Sequence, residues 1–190
     1  MHGALSDFPL KQSRRLVLGE MLARNARRAP STVALVFGDE QLTFAEFDTR
    51  VNKLANALAS RGVGHGDKVA VLMYNRFELL ESYFACLKLG AAAVPVNFRL
   101  TAPEVAYILS NSHSKALLTD AELAPIAVAA AAAEPAVGFV ATTGETIGGT
   151  EPYELLLASG GSDAPEVEVL ESDLAFVMYT SGTTGRPKGA

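Results

Sequence analysis

Two hydrophobic periods alternate along this chain, and their alternation predicts its elements. Leu16, Leu18, Met21, Leu22 and Ala26, with basic residues between them, predict an amphipathic surface helix over residues 16–28, stopped before Pro30. The run Val33-Ala34-Leu35-Val36-Phe37 reads as a strand that Gly38-Asp39 turns back into Gln41-Leu42. Thr43 and Glu46 are spaced as a capping box, and Phe44, Phe47, Val51, Leu54, Ala55 and Leu58 recur every three or four positions after it. That helix is expected to run to about residue 61, with Gly62 as its left-handed end. Shorter apolar runs predict strands at residues 68–73, 92–96, 116–119 and 137–141. Three helices should lie between them. Asn75 caps one that Gly90 ends; Thr101 and Glu104 open a second, with Pro103 in its first turn, to about residue 110; alanine-rich residues 121–133 form a third.

Strands alternating with helices imply an α/β fold of layered βαβ units with a mostly parallel sheet. The nearly continuous apolar run at residues 68–73 fits a strand buried on both faces of such a sheet. After residue 141 the chain turns polar and glycine-rich, with Gly144, Gly148-Gly149 and Ser159-Gly160-Gly161-Ser162. The expected organisation is a tail (1–15), an α/β subdomain (16–141), a flexible connector with a short helix near residues 153–158 (142–171), and a last strand with its loop (172–190).

Composition narrows the function. With 49% hydrophobic and 19% charged residues in 190, the chain can bury a real core. A net charge of -5 without a Lys/Arg block argues against a nucleic-acid partner. The single cysteine, Cys86, excludes an internal disulfide, fits a reducing cytoplasm, and sits in an apolar run as a core residue rather than a nucleophile. No signal peptide is indicated at the N-terminus, and no run approaches the ~20 apolar residues of a transmembrane segment. A soluble, cytoplasmic protein is expected, with peripheral membrane association left open. Arg24, Arg27 and Arg28 read as a solvated helix face in preference to a membrane or phosphate patch. Gly62-Val63-Gly64-His65-Gly66-Asp67 imitates the start of a dinucleotide fingerprint, but a helix precedes it and a strand follows, the reverse of what that site needs. It reads as a connector, with His65 an exposed loop residue.

The chemistry is concentrated at the end. An apolar run at residues 174–179 leads into Thr180-Ser181-Gly182-Thr183-Thr184-Gly185-Arg186-Pro187-Lys188-Gly189-Ala190, which holds four hydroxyls, three glycines and two cations. Hydroxyls and glycine amides can converge on an anion, because glycine permits close backbone approach and positive φ. Lys188 adds a flexible point charge that suits a phosphate oxygen. A surface turn is the plainer alternative, but a turn has no need of so many donors beside a lysine. The stretch is not a Walker loop: Pro187 stands where the second glycine belongs, and Gly189 follows the lysine instead of a hydroxyl residue. Nor is it a nucleophile elbow, since Tyr179 stands where a glycine is required.

Residues 179–189 resemble, at every defined position, the Y/F-T-S-G-S/T-T-G-x-P-K-G signature of the adenylate-forming superfamily of acyl-CoA synthetases, luciferases and peptide-synthetase adenylation domains. Upstream, Leu42-Thr43-Phe44-Ala45-Glu46-Phe47, Gly66-Asp67-Lys68-Val69-Ala70 and Lys88-Leu89-Gly90-Ala91 followed by Val94-Pro95 are similar to further family motifs, most of them scaffold. Pro95-Val96-Asn97-Phe98-Arg99-Leu100 looks like the P-x-N-x-R-L of acyl- and aryl-CoA ligases rather than the peptide-synthetase form.

The resemblance implies the N-terminal part of an acyl-CoA synthetase-like large domain, from a fatty acyl-CoA synthetase, with an aryl-CoA ligase or a peptide-synthetase adenylation domain as alternatives. ATP, magnesium (Mg2+), CoA and a fatty or other carboxylic acid are its implied partners. Thr180, Ser181, Gly182, Thr183, Thr184, Gly185, Lys188 and Gly189 are the implied ATP-phosphate ligands, Arg186 being variable in the family. No catalytic residue and no metal ligand is assigned within these 190 residues. The family's later motifs lie beyond Ala190, so the expectation is a truncated piece, inactive by itself. Its last strand should then expose an apolar edge, with self-association or a disordered tail after Thr180.

Overall fold

The computed structural model describes residues 17–180 and 187–190. Helix α1 (Leu18–Arg28) leads to an antiparallel hairpin of β1 (Val33–Phe37) and β2 (Glu40–Thr43), then α2 (Phe44–Ser60). Next come β3 (Lys68–Leu72), α3 (Phe77–Leu89), β4 (Ala92–Pro95), α4 (Ala102–Ser112), β5 (Ser114–Asp120), α5 (Ala124–Ala132) and β6 (Phe139–Thr143). The short β7 (Glu151–Pro152) and α6 (Tyr153–Ala158) complete the main body. Strands β3 to β7 form one wholly parallel sheet in the order β4-β3-β5-β6-β7.

Alternation along the central strands sends side chains to two cores. Val69 and Val71 face α2, α3 and α6, whereas Ala70 and Leu72 face α4 and α5. Burial on both faces is why β3 reads as a continuous apolar run; Val69 to Leu72 are essentially inaccessible. At roughly 25 cal/mol per Å² of apolar area, these two interfaces are the main source of stability. Both capping boxes close, Thr43 with Glu46 and Thr101 with Glu104. Cys86 is fully buried, and burial pushes its thiol up to about 12, well outside nucleophilic use.

Several boundaries differ from the sequence expectations. The helix after β3 is capped by Arg76 rather than Asn75 and has no side-chain cap hydrogen bond. Helix α5 begins at Ala124, not residue 121, because Asp120 takes the Leu123 amide and holds the intervening turn. Leu18 and Met21 of α1 stay exposed. The helix instead packs through Gly19, where an added Cβ would lie 2.9 Å from the Leu87 carbonyl oxygen.

The polar stretch after residue 141 is held at several points. Glu151–Pro152 joins the sheet edge, and Arg61 pairs with Glu151. Gly160 lies so close to α2 that a Cβ there would meet the Lys53 carbonyl oxygen at 1.9 Å. Asn56 donates to the Gly161 and Asp163 carbonyls, both at 2.8 Å, and Asn52 to that of Ser162 at 3.0 Å.

The largest correction concerns residues 174–179, which form no continuous strand. Only Phe176 bridges, in parallel, to Ala93. The Ala93 amide donates to the Ala175 carbonyl at 3.0 Å, and the Val177 amide to the Ala93 carbonyl at 2.9 Å. In a parallel ladder the next donor on that side would be residue 95, and Pro95 has no N–H. The ladder therefore stops after one repeat.

Candidate functional site

Once released from β4, the chain pairs with itself. Strands β8 (Tyr179–Thr180) and β9 (Lys188–Gly189) are antiparallel, with Tyr179 opposite Gly189 and Thr180 opposite Lys188. Met178 and Ala190 exchange two backbone hydrogen bonds of 2.9 Å below them. Residues 187–190 return to the strand that the chain came from. Ser181, Gly182, Thr183, Thr184, Gly185 and Arg186 lie outside the described residues.

Directly opposed residues of an antiparallel pair share a face. Thr180 and Lys188 therefore stand together, both exposed, at the base of the loop, while Tyr179 points to the other face. There its hydroxyl donates to Asn111 Oδ1 of α4 at 2.7 Å. Burial, then the neighbouring Tyr107, pushes the Tyr179 phenol upward, so it remains a neutral donor. Tyr107, one helical turn before Asn111, donates to the Pro187 carbonyl at 3.3 Å. Gly189 has a structural reason: a Cβ there would stand 3.0 Å from the Tyr179 ring and 3.1 Å from Val177. Its close approach is to that ring.

The N-terminal flank is held too. Phe176 packs edge-on against Tyr83 of α3, centroids 5.3 Å apart. Asp173 accepts from the Leu170 amide and pairs with His65 at 2.7 Å. His65 is thus half exposed but committed to a contact. Since residues 175–177 run parallel to β4, the loop leaves at the C-terminal end of the sheet. Asn97, Phe98 and Arg99 emerge at that same end, which is where open α/β sheets place ligands. Phe98 stacks obliquely on Tyr74 at 4.8 Å, with the Arg99 guanidinium 5.5 Å from its ring.

The family model for AMP-binding enzymes matches residues 22–190. The chain belongs to the AMP-binding enzyme family. Among curated AMP-binding relatives, the long-chain-fatty-acid–CoA ligase FadD13 of Mycobacterium tuberculosis is 41% identical over 174 residues, 90% of this chain and 34% of that protein. A feruloyl-CoA synthase of Amycolatopsis is 40% identical over 173 residues, covering 91% of this chain and 32% of that one. The chain spans about a third of the length of these relatives. Among solved structures, the inhibitor-bound N-terminal domain of FACL13 from Mycobacterium tuberculosis superposes with a TM-score of 0.81 at 38% identity, over 90% of this chain and 42% of that one.

Within this chain, the upstream motifs have structural explanations. In the Gly66-Asp67 motif, Asp67 accepts from the Gly64 amide and pairs with Lys115, both at 2.8 Å, closing the turn before β3. Lys88 is buried against Asp48 and Asn52, both at 2.5 Å, and burial lowers its pKa. It also lines a groove of about 470 Å³ with Arg24 and Arg27, so those arginines edge a cleft between α1 and residues 164–169. Among the described residues no helix is long and apolar enough to cross a membrane. Among the same residues no group of three or more His, Cys, Asp or Glu could hold a metal ion. Asn111 and Tyr107 were not singled out from sequence. They lie outside the loop motif, and only their spacing on one face of α4 could have drawn attention.

Proposed function

We propose that this chain supplies the phosphate-gripping edge of an ATP-dependent carboxylate–CoA ligase whose acyl substrate is a fatty acid. A carboxylate oxygen attacks the α-phosphorus of ATP, the bond to the bridging oxygen breaks, and pyrophosphate leaves. The CoA sulfur then attacks the acyl carbonyl and AMP departs. The first step builds negative charge on the pyrophosphate, and preorganised donors lower that barrier most. The hydroxyls of Thr180, Ser181, Thr183 and Thr184, close backbone approach at Gly182 and Gly185, and the Lys188 ammonium are the donors assigned to it.

The observation that carries this reading is the placement of Thr180 and Lys188 side by side and exposed, at the end of the sheet where the loop emerges. Residues 95–100 support a CoA ligase over a peptide synthetase. An aryl acid is the second reading, because 41% and 40% identity to the fatty-acyl and feruloyl enzymes do not separate them.

Acid-dependent ATP–pyrophosphate exchange tests the proposal, with palmitate, ferulate and amino acids compared. Exchange with palmitate alone is expected; exchange with ferulate alone moves the assignment to the aryl reading. Running the same assay on these 190 residues separates a catalytic chain from a non-catalytic, nucleotide-binding one. Lys188→Ala should weaken pyrophosphate binding about tenfold, as expected for one charge-assisted contact. Unchanged binding, with no exchange from any acid, overturns the proposal.

A further inference from the structure

We propose that Asn111, supported by Tyr107, is a positioning residue for the phosphate loop: α4 clasps both flanks of the loop and fixes the spacing of Thr180 and Lys188. The proposal rests on the phosphate-binding reading of that loop. Its warrant is geometric. Between Thr180 and Lys188 the hairpin spans seven residues, and its own ladder is only two residues per strand. So short a ribbon is marginal alone. The parallel sheet gives it no extension, because Pro95 ends the ladder at Ala93. What remains is α4. Asn111 holds the strand entering the loop through Tyr179, and Tyr107 holds the residue leaving it, Pro187.

The two contacts are one helical turn apart and grip opposite flanks of the loop, Tyr179 in β8 and Pro187 just before β9, so they set the separation of the loop's ends rather than merely burying a side chain. Alternation carries the effect to the other face: fixing Tyr179 and Gly189 on the α4 side fixes Thr180 and Lys188 on the exposed side. Gly189 is part of the same device, since its missing side chain lets the Tyr179 ring lie across β9 and reach Asn111.

Asn111→Ala, Asn111→Asp, Tyr179→Phe and the double variant Asn111→Ala/Tyr179→Phe test this, with inorganic pyrophosphate as the probe. Two readouts are needed: pyrophosphate affinity by calorimetry, and amide hydrogen exchange at Met178, Thr180, Lys188 and Ala190. Asn111→Ala and Tyr179→Phe should each weaken affinity about fivefold to tenfold and speed exchange at the hairpin, with protection in β3 and β5 unchanged. The double variant should be no worse than either single one, and Asn111→Asp, which keeps an acceptor, should return affinity to within about twofold of the parent. Additive losses, failed rescue by Asn111→Asp, or parent-like exchange in Asn111→Ala would overturn the clasp. If the unmodified chain binds no pyrophosphate, the functional reading falls, and hairpin exchange still decides whether the clasp exists.

Discussion

The two edges of the parallel sheet are built from equally short pieces of chain but held by opposite means. At the β7 edge, Glu151–Pro152 is followed by Tyr153, whose side chain is 1% exposed. Its hydroxyl donates at 2.8 Å to Glu81, which is wholly buried and also takes Arg50 at 2.5 Å. Burial raises the Glu81 pKa, against the pull of Arg50 and Tyr153. Arg50 reaches on to Glu154 at 2.6 Å, so one guanidinium ties α2, α3 and α6 together. At the β4 edge there is, among the described residues, a single bridge, with two exposed apolar side chains at Leu174 and Met178, the Phe176–Tyr83 and Asp173–His65 contacts before them, and hydroxyl contacts to α4 after them. The difference teaches where this chain tolerates adjustment. A buried ionic hub allows one arrangement only, whereas the short hairpin keeps its place through two side-chain contacts at the surface of α4.

The largest effect should come from breaking the hub. Arg50→Ala leaves Glu81 buried without its cation, and a loss of about 3–5 kcal/mol in denaturant unfolding is expected. A loss below about 1 kcal/mol would mean that water or Tyr153 compensates and that the edges differ less than described. Hairpin exchange rates should be unaffected by this change wherever the fold survives, since among the described residues the hub's hydrogen bonds stay within α2, α3 and α6.

A smaller effect sharpens the other side. Pro95→Ala supplies the missing amide on the free edge of β4, opposite the Val177 carbonyl. One added hydrogen bond should stabilise the segment by about 0.5–1.5 kcal/mol, read as slow exchange of the new amide at position 95. Rapid exchange there would show that something other than the absent donor ends the ladder.

The smallest effect is a pH dependence confined to the β4 edge. The Leu170 amide first, and His65 second, hold the Asp173 carboxyl below the usual carboxylate range. A depressed carboxylate contributes above its unfolded value of about 3.9, and the contribution is lost as pH falls through the lower folded value. Protection of the Leu170 amide, its exchange taken relative to the intrinsic rate at each pH, should fall as pH drops below about 4, and Asp173→Asn should remove that change in protection. A pH-independent protection factor in the parent would sink the assignment.

Much of the fold is legible in the sequence. The capping boxes at Thr43 and Thr101, Gly90 in left-handed conformation at its helix end, and the doubly buried β3 all rest on local spacing that the structure repeats. The family was legible for the same reason: the loop motif is contiguous. The segments that local pattern could not settle are those whose partners are distant. Residues 174–179 are apolar enough for a strand, but the outcome depended on Pro95, some eighty positions earlier. The contacts of the polar stretch after residue 141 had no local signal, because its anchors, Lys53 and Asn56, belong to α2.

By itself, then, the sequence determined the order of the main strands and helices, the two capping boxes, and the chemical content of the loop, because these depend on residues within a turn or two of one another. Tertiary structure alone decided that Glu81 and Arg50 form a buried hub and that the β4 ladder stops at Ala93. It alone also set Tyr107 and Asn111 of α4 against the two flanks of the loop. Those outcomes depend on which backbone groups remain free once the sheet has assembled. No local pattern records that, since a donor or a cavity acquires its meaning only from the neighbour that folding brings to it.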